Sequence, residues 1–209
     1  MGVDLISLLN HRIPFEGKTL AEIIAIIQPK LDAMELDNQG FLLEYTSDWY
    51  KASPQQRIAL AKAKATRWQP LIEDPRYYDF DTSDSKTIDF DGPYDLRLSF
   101  DPYTILSFSP PYRYRQWFGL QHADGTEATA VRNEWRRYLR QVARTFGGDR
   151  AIYLADNAHP LTTYWYEDKA LEEVEQQMRA ELGEPKKTFR EVYEGENTDY
   201  FVDYFSDIP

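Results

Sequence analysis

A stretch of short β-type runs broken by turn-forming pairs, between residues 86 and 118, constrains the fold most. The runs occupy residues 86–91, 95–101, 104–109 and 113–118. The pairs between them are Gly92-Pro93, Asp101-Pro102 and Pro110-Pro111. Short strands separated by such turns are typical of an antiparallel sheet. We therefore expect an antiparallel β meander in this part of the chain.

The second run of this segment shows the alternation of a half-buried strand. Three apolar residues alternate there with three polar ones: Leu96, Leu98 and Phe100 with Asp95, Arg97 and Ser99. In a strand, successive side chains point to opposite faces of the sheet. One face of the meander should therefore meet the core, and the other should meet water.

Helical patterns precede the meander. Thr19-Leu20-Ala21-Glu22 matches a capping box, in which the Thr hydroxyl and the Glu carboxylate accept from free N–H groups. We expect Pro29 to end or kink this helix, because proline removes a backbone donor. A short strand is predicted over 39–45. A second helix should begin at Ser53-Pro54, with Ser as N-cap and Pro at the first helical position.

The longest helix is predicted after the meander, from about residue 127 to residue 146, and it should end at Gly147-Gly148. Its apolar stripe consists of Val131, Trp135, Leu139, Val142 and Phe146. A compact buried strand over 151–154 and a further helix over about 168–182 should follow. The chain shows no internal repeat and no Gly/Ser linker, so residues 1–209 are expected to form a single α+β domain. In it, the antiparallel β meander should pack against three or four helices.

An arginine stripe lies beside that apolar stripe. It contains Arg132, Arg136, Arg140 and Arg144, with Arg137 next to it. Guanidinium groups bind phosphate well, so a phosphate site is one interpretation. The other is a solvated helix face whose arginines pair with acidic segments of the same chain. The second interpretation is favoured, because the rest of the protein repels polyanions.

The charge balance limits the possible partners. The chain has a net charge of −11, and residues 161–209 alone carry thirteen acidic and five basic side chains. Such a surface repels phosphates, so no nucleic-acid partner is expected. A basic protein partner is compatible with it. Acidic residues that serve solubility alone would give the same balance.

The sequence also predicts a location and excludes several chemistries. The chain has no cysteine, hence no disulfide, thiolate metal site or thiol nucleophile. Its first residues lack the basic region of a signal peptide, and no apolar run is long enough to span a membrane. We expect a cytoplasmic protein that does not contact the membrane. No phosphate-binding loop or serine-nucleophile motif occurs, so no cofactor is predicted.

One group of residues is compatible with an enzyme. His122 and Asp124, together with Asp156 and His159, could supply two imidazoles and two carboxylates to a divalent metal. Both pairs follow β-type runs, where loops commonly carry sites. Their spacing matches no standard metal motif, however, and such residues also form ordinary turns. A metal-dependent hydrolase is therefore the alternative function, and no residue is assigned as catalytic or metal-binding.

The C-terminal tail carries the strongest binding pattern, in which aromatic and acidic residues alternate. The predicted partner-binding residues are Tyr193, Tyr200, Phe201, Asp203, Tyr204 and Asp207. Aromatic anchors inside a negative rim suit the capture of a basic protein surface. The competing interpretation is that about half of these rings close the core, while the acids merely solvate the end of the chain.

The C-terminal third of the chain resembles bacterial polymorphic-toxin immunity proteins. The resemblance begins with Glu134-Trp135 and runs through Phe146-Gly147-Gly148-Asp149 to Asp156. It continues in Gly183-Glu184-Pro185 and in the acidic-aromatic ending over 200–205. It implies a cytoplasmic protein without enzymatic activity that neutralises a toxin by binding it, and it does not indicate which toxin. A structural or phage-type accessory protein is the remaining alternative.

Overall fold

A computed structural model describes residues 4–34, 67–71, 87–93, 96–119, 129–156 and 169–205. The strand predicted over 39–45 and the helix predicted from Ser53 lie outside these residues.

Seven strands in the described part of the chain form one antiparallel sheet, which confirms the expected α+β class. The strands are β1 (Asp4–Asn10), β2 (Gln69–Pro70), β3 (Ile88–Asp91), β4 (Arg97–Phe100), β5 (Thr104–Arg113), β6 (Arg150–Ala155) and β7 (Phe201–Tyr204). Their order is β2-β3-β4-β5-β1-β6-β7. The first strand of the chain thus lies inside the sheet, where it joins the meander to the C-terminal strands.

Helices cover both faces of this sheet. They are α1 (Leu20–Asp32), α2 (Tyr114–Phe118), α3 (Thr129–Thr145), α4 (Leu171–Leu182) and α5 (Phe189–Glu194). The larger core lies on the face that carries α1, α2, α3 and α5, and α4 packs on the other face. Strand β1 serves both cores: Leu5 and Leu9 point to the first, and Ile6 and Leu8 to the second. A strand buried on both faces is a nearly continuous apolar run, and in β1 only Ser7 interrupts that run between Leu5 and Leu9.

The meander prediction is confirmed for β3, β4 and the first part of β5; it is wrong for the turn at Pro110-Pro111, which lies within β5, and for the strand over 113–118. These residues continue β5 as far as Arg113 and then form helix α2. The reason is the spacing of three large rings. Tyr114, Trp117 and Phe118 are three and four residues apart, so one turn of helix buries all three in the same core. An extended strand would have placed Trp117 and Phe118 on opposite faces.

The predicted alternation of β4 is only partly confirmed. Leu98 and Phe100 are buried, and Arg97 is exposed. Ser99 is buried as well, because its hydroxyl donates a hydrogen bond to the carboxylate of Asp89 on β3. Buried polar side chains in proteins almost always have such a partner.

The capping box of α1 is present, as predicted: Glu22 N–H donates to Thr19 Oγ1 at 3.4 Å, and Thr19 N–H donates to Glu22 Oε2 at 2.8 Å. Pro29 does not end the helix, which continues to Asp32. The end of α3 also agrees with prediction, since Gly147 has φ of 83° and so takes the left-handed conformation that favours glycine.

Helix α3 buries Trp135, Leu139 and Val142, and Phe146, the residue after its end, is buried too, in agreement with the predicted stripe; the side chain of Val131 lies outside the described part. The strand and helix predicted after it correspond to β6 and α4. None of the helices in the described ranges is both long and apolar enough to cross a membrane.

Candidate functional site

The C-terminal tail is built into the fold and is divided between its two faces. Phe201 packs against the larger core, whereas Tyr200 and Val202 belong to the smaller one and Tyr204 packs against it. This separation follows from the period of two in β7, which sends neighbouring side chains to opposite sides. The aromatic residues of the tail therefore do not share one surface.

Tyr200 and Asp203 are buried, so they do not contribute to the exposed aromatic and acidic surface that the sequence predicted. Tyr200 donates from its hydroxyl to the carbonyl oxygen of Gly183 at 2.8 Å, just beyond the end of α4. Burial raises its pKa to about 12, so the hydroxyl stays a neutral donor. Asp207 lies outside the described residues.

Asp203 forms an ion pair inside the fold. Arg136 of α3 donates from Nε to Oδ2 at 2.6 Å and from an Nη to Oδ1 at 2.8 Å, and Tyr153 of β6 donates its hydroxyl to Oδ2 at 3.2 Å. This two-point contact matches the geometry in which Arg binds carboxylates best. Asp203 thereby fixes α3 against β6 and β7.

Tyr204 takes part in a second charged cluster, on the opposite face. Its hydroxyl donates to the carboxylate of Glu175 on α4, which also accepts from Arg150 at 3.2 Å and from Arg179 at 2.9 Å. Burial alone would raise the pKa of Glu175, but these hydrogen bonds outweigh it and lower the pKa. The cluster attaches α4 to the C-terminal strands, and its charged and polar side chains are hydrogen-bonded to one another.

The arginine stripe of α3 is used internally in the same way. Arg132 is buried and donates to the carbonyl oxygen of Phe118 at 2.8 Å. The guanidinium carbons of Arg132 and Arg136 each lie 5.4 Å from the ring centre of Phe189 on α5. Arg136 was expected on a solvated face, and this is wrong because its partner Asp203 lies inside the fold. Pairing of the stripe with the acidic C-terminal segment agrees with the second interpretation.

Tyr193 differs from the other aromatic residues in the described part of the tail, because 46% of its surface is exposed. It lies on α5, whose N-terminus is capped: Thr188 Oγ1 accepts from Glu191 N–H at 3.2 Å, and a Glu191 carboxylate oxygen accepts from Lys187 N–H at 2.8 Å. The helix rests on α2 through Phe189, whose ring centre lies 5.1 Å from that of Trp117. A rigid support thus carries this exposed ring.

The backbone at the end of α2 supports the Tyr193 ring directly. A Cβ placed on Gly119 would lie 2.3 Å from Cε2 and 2.4 Å from Cδ2 of Tyr193. Arg115 holds the chain that follows α5: it donates to the carbonyl oxygen of Gly195 at 2.6 Å and to Asn197 Oδ1 at 3.2 Å. The ring therefore lies against α2 and still keeps a large exposed face.

Exposed carboxylates surround Tyr193 along the chain, namely those of Glu191, Glu194 and Glu196. Glu194 forms an exposed ion pair with Arg190 at 2.7 Å. Within the described residues, no cation forms an ion pair with Glu191 or Glu196. We call Tyr193 and these three glutamates the α5 surface. Among the described partner-binding residues that the sequence predicted, only Tyr193 is exposed, and these glutamates flank it along the chain.

The alternative enzyme site is described only at Asp156. One of its carboxylate oxygens accepts from the backbone N–H of Asp4 at 3.1 Å, and this bond ties the end of β6 to the start of β1. His122, Asp124 and His159 lie outside the described residues. Within the part of the chain that the structure describes, no three His, Asp or Glu side chains are grouped as metal ligands.

No sequence pattern indicates Gly119, Arg115 or Asn197, the groups that hold α5 in place. Gly119 and Tyr193 are far apart in the chain, and a glycine after a predicted strand is typical of an ordinary turn. Comparison with family models, with curated proteins and with solved structures finds no match to this chain.

Proposed function

We propose that this protein is a binding domain that captures a basic protein through the α5 surface. The observation that carries the proposal is the exposed, supported ring of Tyr193 among three exposed glutamates. Tyrosine supplies a large amphipathic contact area at a low cost in conformational entropy, and it is enriched among the residues that dominate binding energy. The carboxylates would favour a partner that carries Lys or Arg opposite them.

The charge of the C-terminal segment supports the same kind of partner. Residues 161–209 have a large acidic excess, while Arg132 and Arg136 of α3 point to internal partners, Phe118 O and Asp203. A basic protein would be steered toward this end of the molecule before it makes contact. This steering would speed association with the partner. The Tyr193 ring, once buried in the complex, would slow dissociation.

The biological role that we propose is that of a cytoplasmic bacterial immunity factor, which neutralises a cognate toxin by covering it. The resemblance of the C-terminal third to polymorphic-toxin immunity proteins supports this role, and the acidic surface suits toxins that are basic. Neutralisation by binding requires no catalytic group of this chain, and we assign none. No cofactor is required either.

Site-specific photo-cross-linking tests the proposed surface. A photoreactive benzoylphenylalanine replaces Tyr193 in one variant and Tyr103 in a control; Tyr103 has a similar exposure of 44% and lies in the turn between β4 and β5. Irradiation in the native host should give an adduct with a basic protein from position 193 and none from position 103. No adduct at 193, or the same adduct at both positions, would refute the α5 surface as the binding site.

A growth assay tests the immunity role separately. The protein identified in the adduct is expressed alone and together with this chain. We expect it to arrest growth alone and to lose that effect in the presence of the wild-type chain but not of Tyr193→Ala. A captured protein that is harmless by itself would leave the binding surface in place and reject the immunity role.

A further inference from the structure

We infer that Gly119 is a positioning residue for Tyr193, one that sets the exposed ring in place before a partner arrives. This inference rests on the proposed function, because it concerns the same α5 surface. Tyr193 belongs to a six-residue helix at the molecular surface, where a tyrosine side chain normally samples several rotamers. The structure shows what restricts it here.

The space above Gly119 is filled by the Tyr193 ring. Three ring atoms lie within reach of a Cβ built on this glycine, at 2.3 Å for Cε2, 2.4 Å for Cδ2 and 2.8 Å for Cζ. Real Cβ atoms do not approach other atoms so closely. Only a residue without a Cβ lets the ring lie in this position, so any other residue at 119 must displace it.

The backbone does not itself demand glycine at this position. Among the described glycines, those with positive φ are Gly17, Gly147 and Gly183, and Gly119 is not one of them. Its N–H donates to the carbonyl oxygen of Arg115 at 3.0 Å, which closes the last turn of α2, and alanine would keep that bond. Alanine is therefore compatible with the local backbone, and its steric effect falls on the Tyr193 ring alone.

The ring can move away at small cost to the fold. It is the end of a flexible side chain and is almost half exposed, so a rotamer change relieves the contact without moving the core. Binding would then have to order the displaced side chain again, and a side chain immobilised on binding carries an entropic cost. We expect this to weaken binding by about three- to tenfold.

Fluorine NMR tests the positioning without any partner. 3-Fluorotyrosine is incorporated at position 193 and, in a separate sample, at position 103 as the reference. Gly119→Ala should move the 193 resonance toward its position in urea-unfolded protein and leave the 103 resonance unchanged. An unchanged 193 resonance in the folded variant would overturn the inference, because the ring would then not depend on Gly119.

The double variant Gly119→Ala with Tyr193→Ala shows whether the ring is the only obstacle to a side chain at 119. It should unfold at the same urea concentration as Tyr193→Ala alone. A lower midpoint would mean that a Cβ at 119 disturbs something other than Tyr193, and the positioning role would be rejected. This comparison remains decisive if the single variant Gly119→Ala folds poorly.

Cross-linking then relates the position of the ring to binding. The photoreactive residue is placed at Arg190, an exposed position on the same helix, in the wild-type, Tyr193→Ala and Gly119→Ala backgrounds. A lower adduct yield in both variants supports the inference. A lower yield in Tyr193→Ala alone keeps the proposed function and rejects the role of Gly119. A lower yield in Gly119→Ala alone also rejects that role, because the ring would not be needed. Full adduct in both variants rejects the proposed function itself.

Discussion

At the scale of single residues, Asp203 shows that an acidic side chain of the tail can stabilise the fold instead of contacting a partner. It lies on β7, an edge strand of the sheet, and only 4% of its side chain is exposed. Arg136 and Tyr153 supply the partners that make this burial possible.

Asp203→Asn should therefore destabilise the protein strongly. The substitution leaves the guanidinium of Arg136 in a largely buried position without its counter-charge, and breaking a buried ion pair costs about 3–5 kcal/mol. Because Arg136 keeps 23% exposure, we expect a loss of about 3 kcal/mol in the free energy of unfolding, measured by urea titration. Arg97→Gln, in an exposed pair with Asp91, is the control and should cost below about 1 kcal/mol. Equal losses would show that the Asp203–Arg136 pair contributes no more to the free energy of unfolding than a surface pair does.

His11 should make the stability of the protein sensitive to mild acid. Its Nδ1 accepts from Ile13 N–H at 3.0 Å, and its Nε2 lies 2.9 Å from the carbonyl oxygen of Asp101, an arrangement that suits the neutral ring. Burial lowers the pKa of His11 below its usual 6.5, against the raising effect of Asp101. The unfolded chain therefore binds the proton more readily than the folded one. Stability that is present above pH 6.5 is lost as the pH falls toward the lowered pKa.

The variant His11→Gln isolates this contribution from the other two histidines. Urea titrations at about pH 7.5 and about pH 5.5 should show a smaller loss of stability for the variant than for the wild type. The comparison stays above the range in which carboxylates usually titrate, although burial raises the pKa of the neighbouring Asp101. Identical pH dependence in the two proteins would mean that His11 titrates alike in the folded and unfolded states.

At the scale of elements, the sequence predicted best where local chemistry decides the structure. The capping box at Thr19 and the glycine after α3 act within one turn of helix, so both were recognised. Helix α2 was mistaken for a strand because its five residues are too few to show a period. Strand β1 was not predicted, since burial on both faces removes the alternation that identifies a strand.

Helix α3 provides a test of the larger core at this scale. Trp135 is fully buried against the sheet, so Trp135→Ala should lower the free energy of unfolding by about 3–5 kcal/mol through lost contacts and a cavity. Asn133, exposed on the same helix, is the matched control, and Asn133→Ala should change stability by less than about 0.5 kcal/mol. Thermal or urea unfolding measures both. A small effect of Trp135→Ala would show that α3 does not pack as described.

At the scale of the whole molecule, long-range contacts determine which tail residues are exposed. The sequence identified the aromatic and acidic composition of the tail, and this composition includes the α5 surface. It did not separate Tyr193 from Tyr200, because the difference arises from distant residues: Gly119 supports the first ring, and Gly183 accepts a hydrogen bond from the second. The composition of the tail predicts what kind of site it can form, but tertiary packing determines which of its residues are exposed.

The position of β1 should make the described sheet unfold as one cooperative unit. This strand comes first in the chain, yet it pairs with β5 of the meander on one side and with β6 on the other. Leu8 lies in its centre, fully buried, and Leu8→Ala should lower the free energy of unfolding by about 2–5 kcal/mol.

Far-ultraviolet circular dichroism and tryptophan fluorescence should follow the same urea transition, and the substitution should lower both midpoints equally. Leu71→Ala, at an exposed position beside the edge strand β2, should leave both midpoints almost unchanged. If the two probes separate in Leu8→Ala, the halves of the sheet unfold independently, and β1 does not couple them.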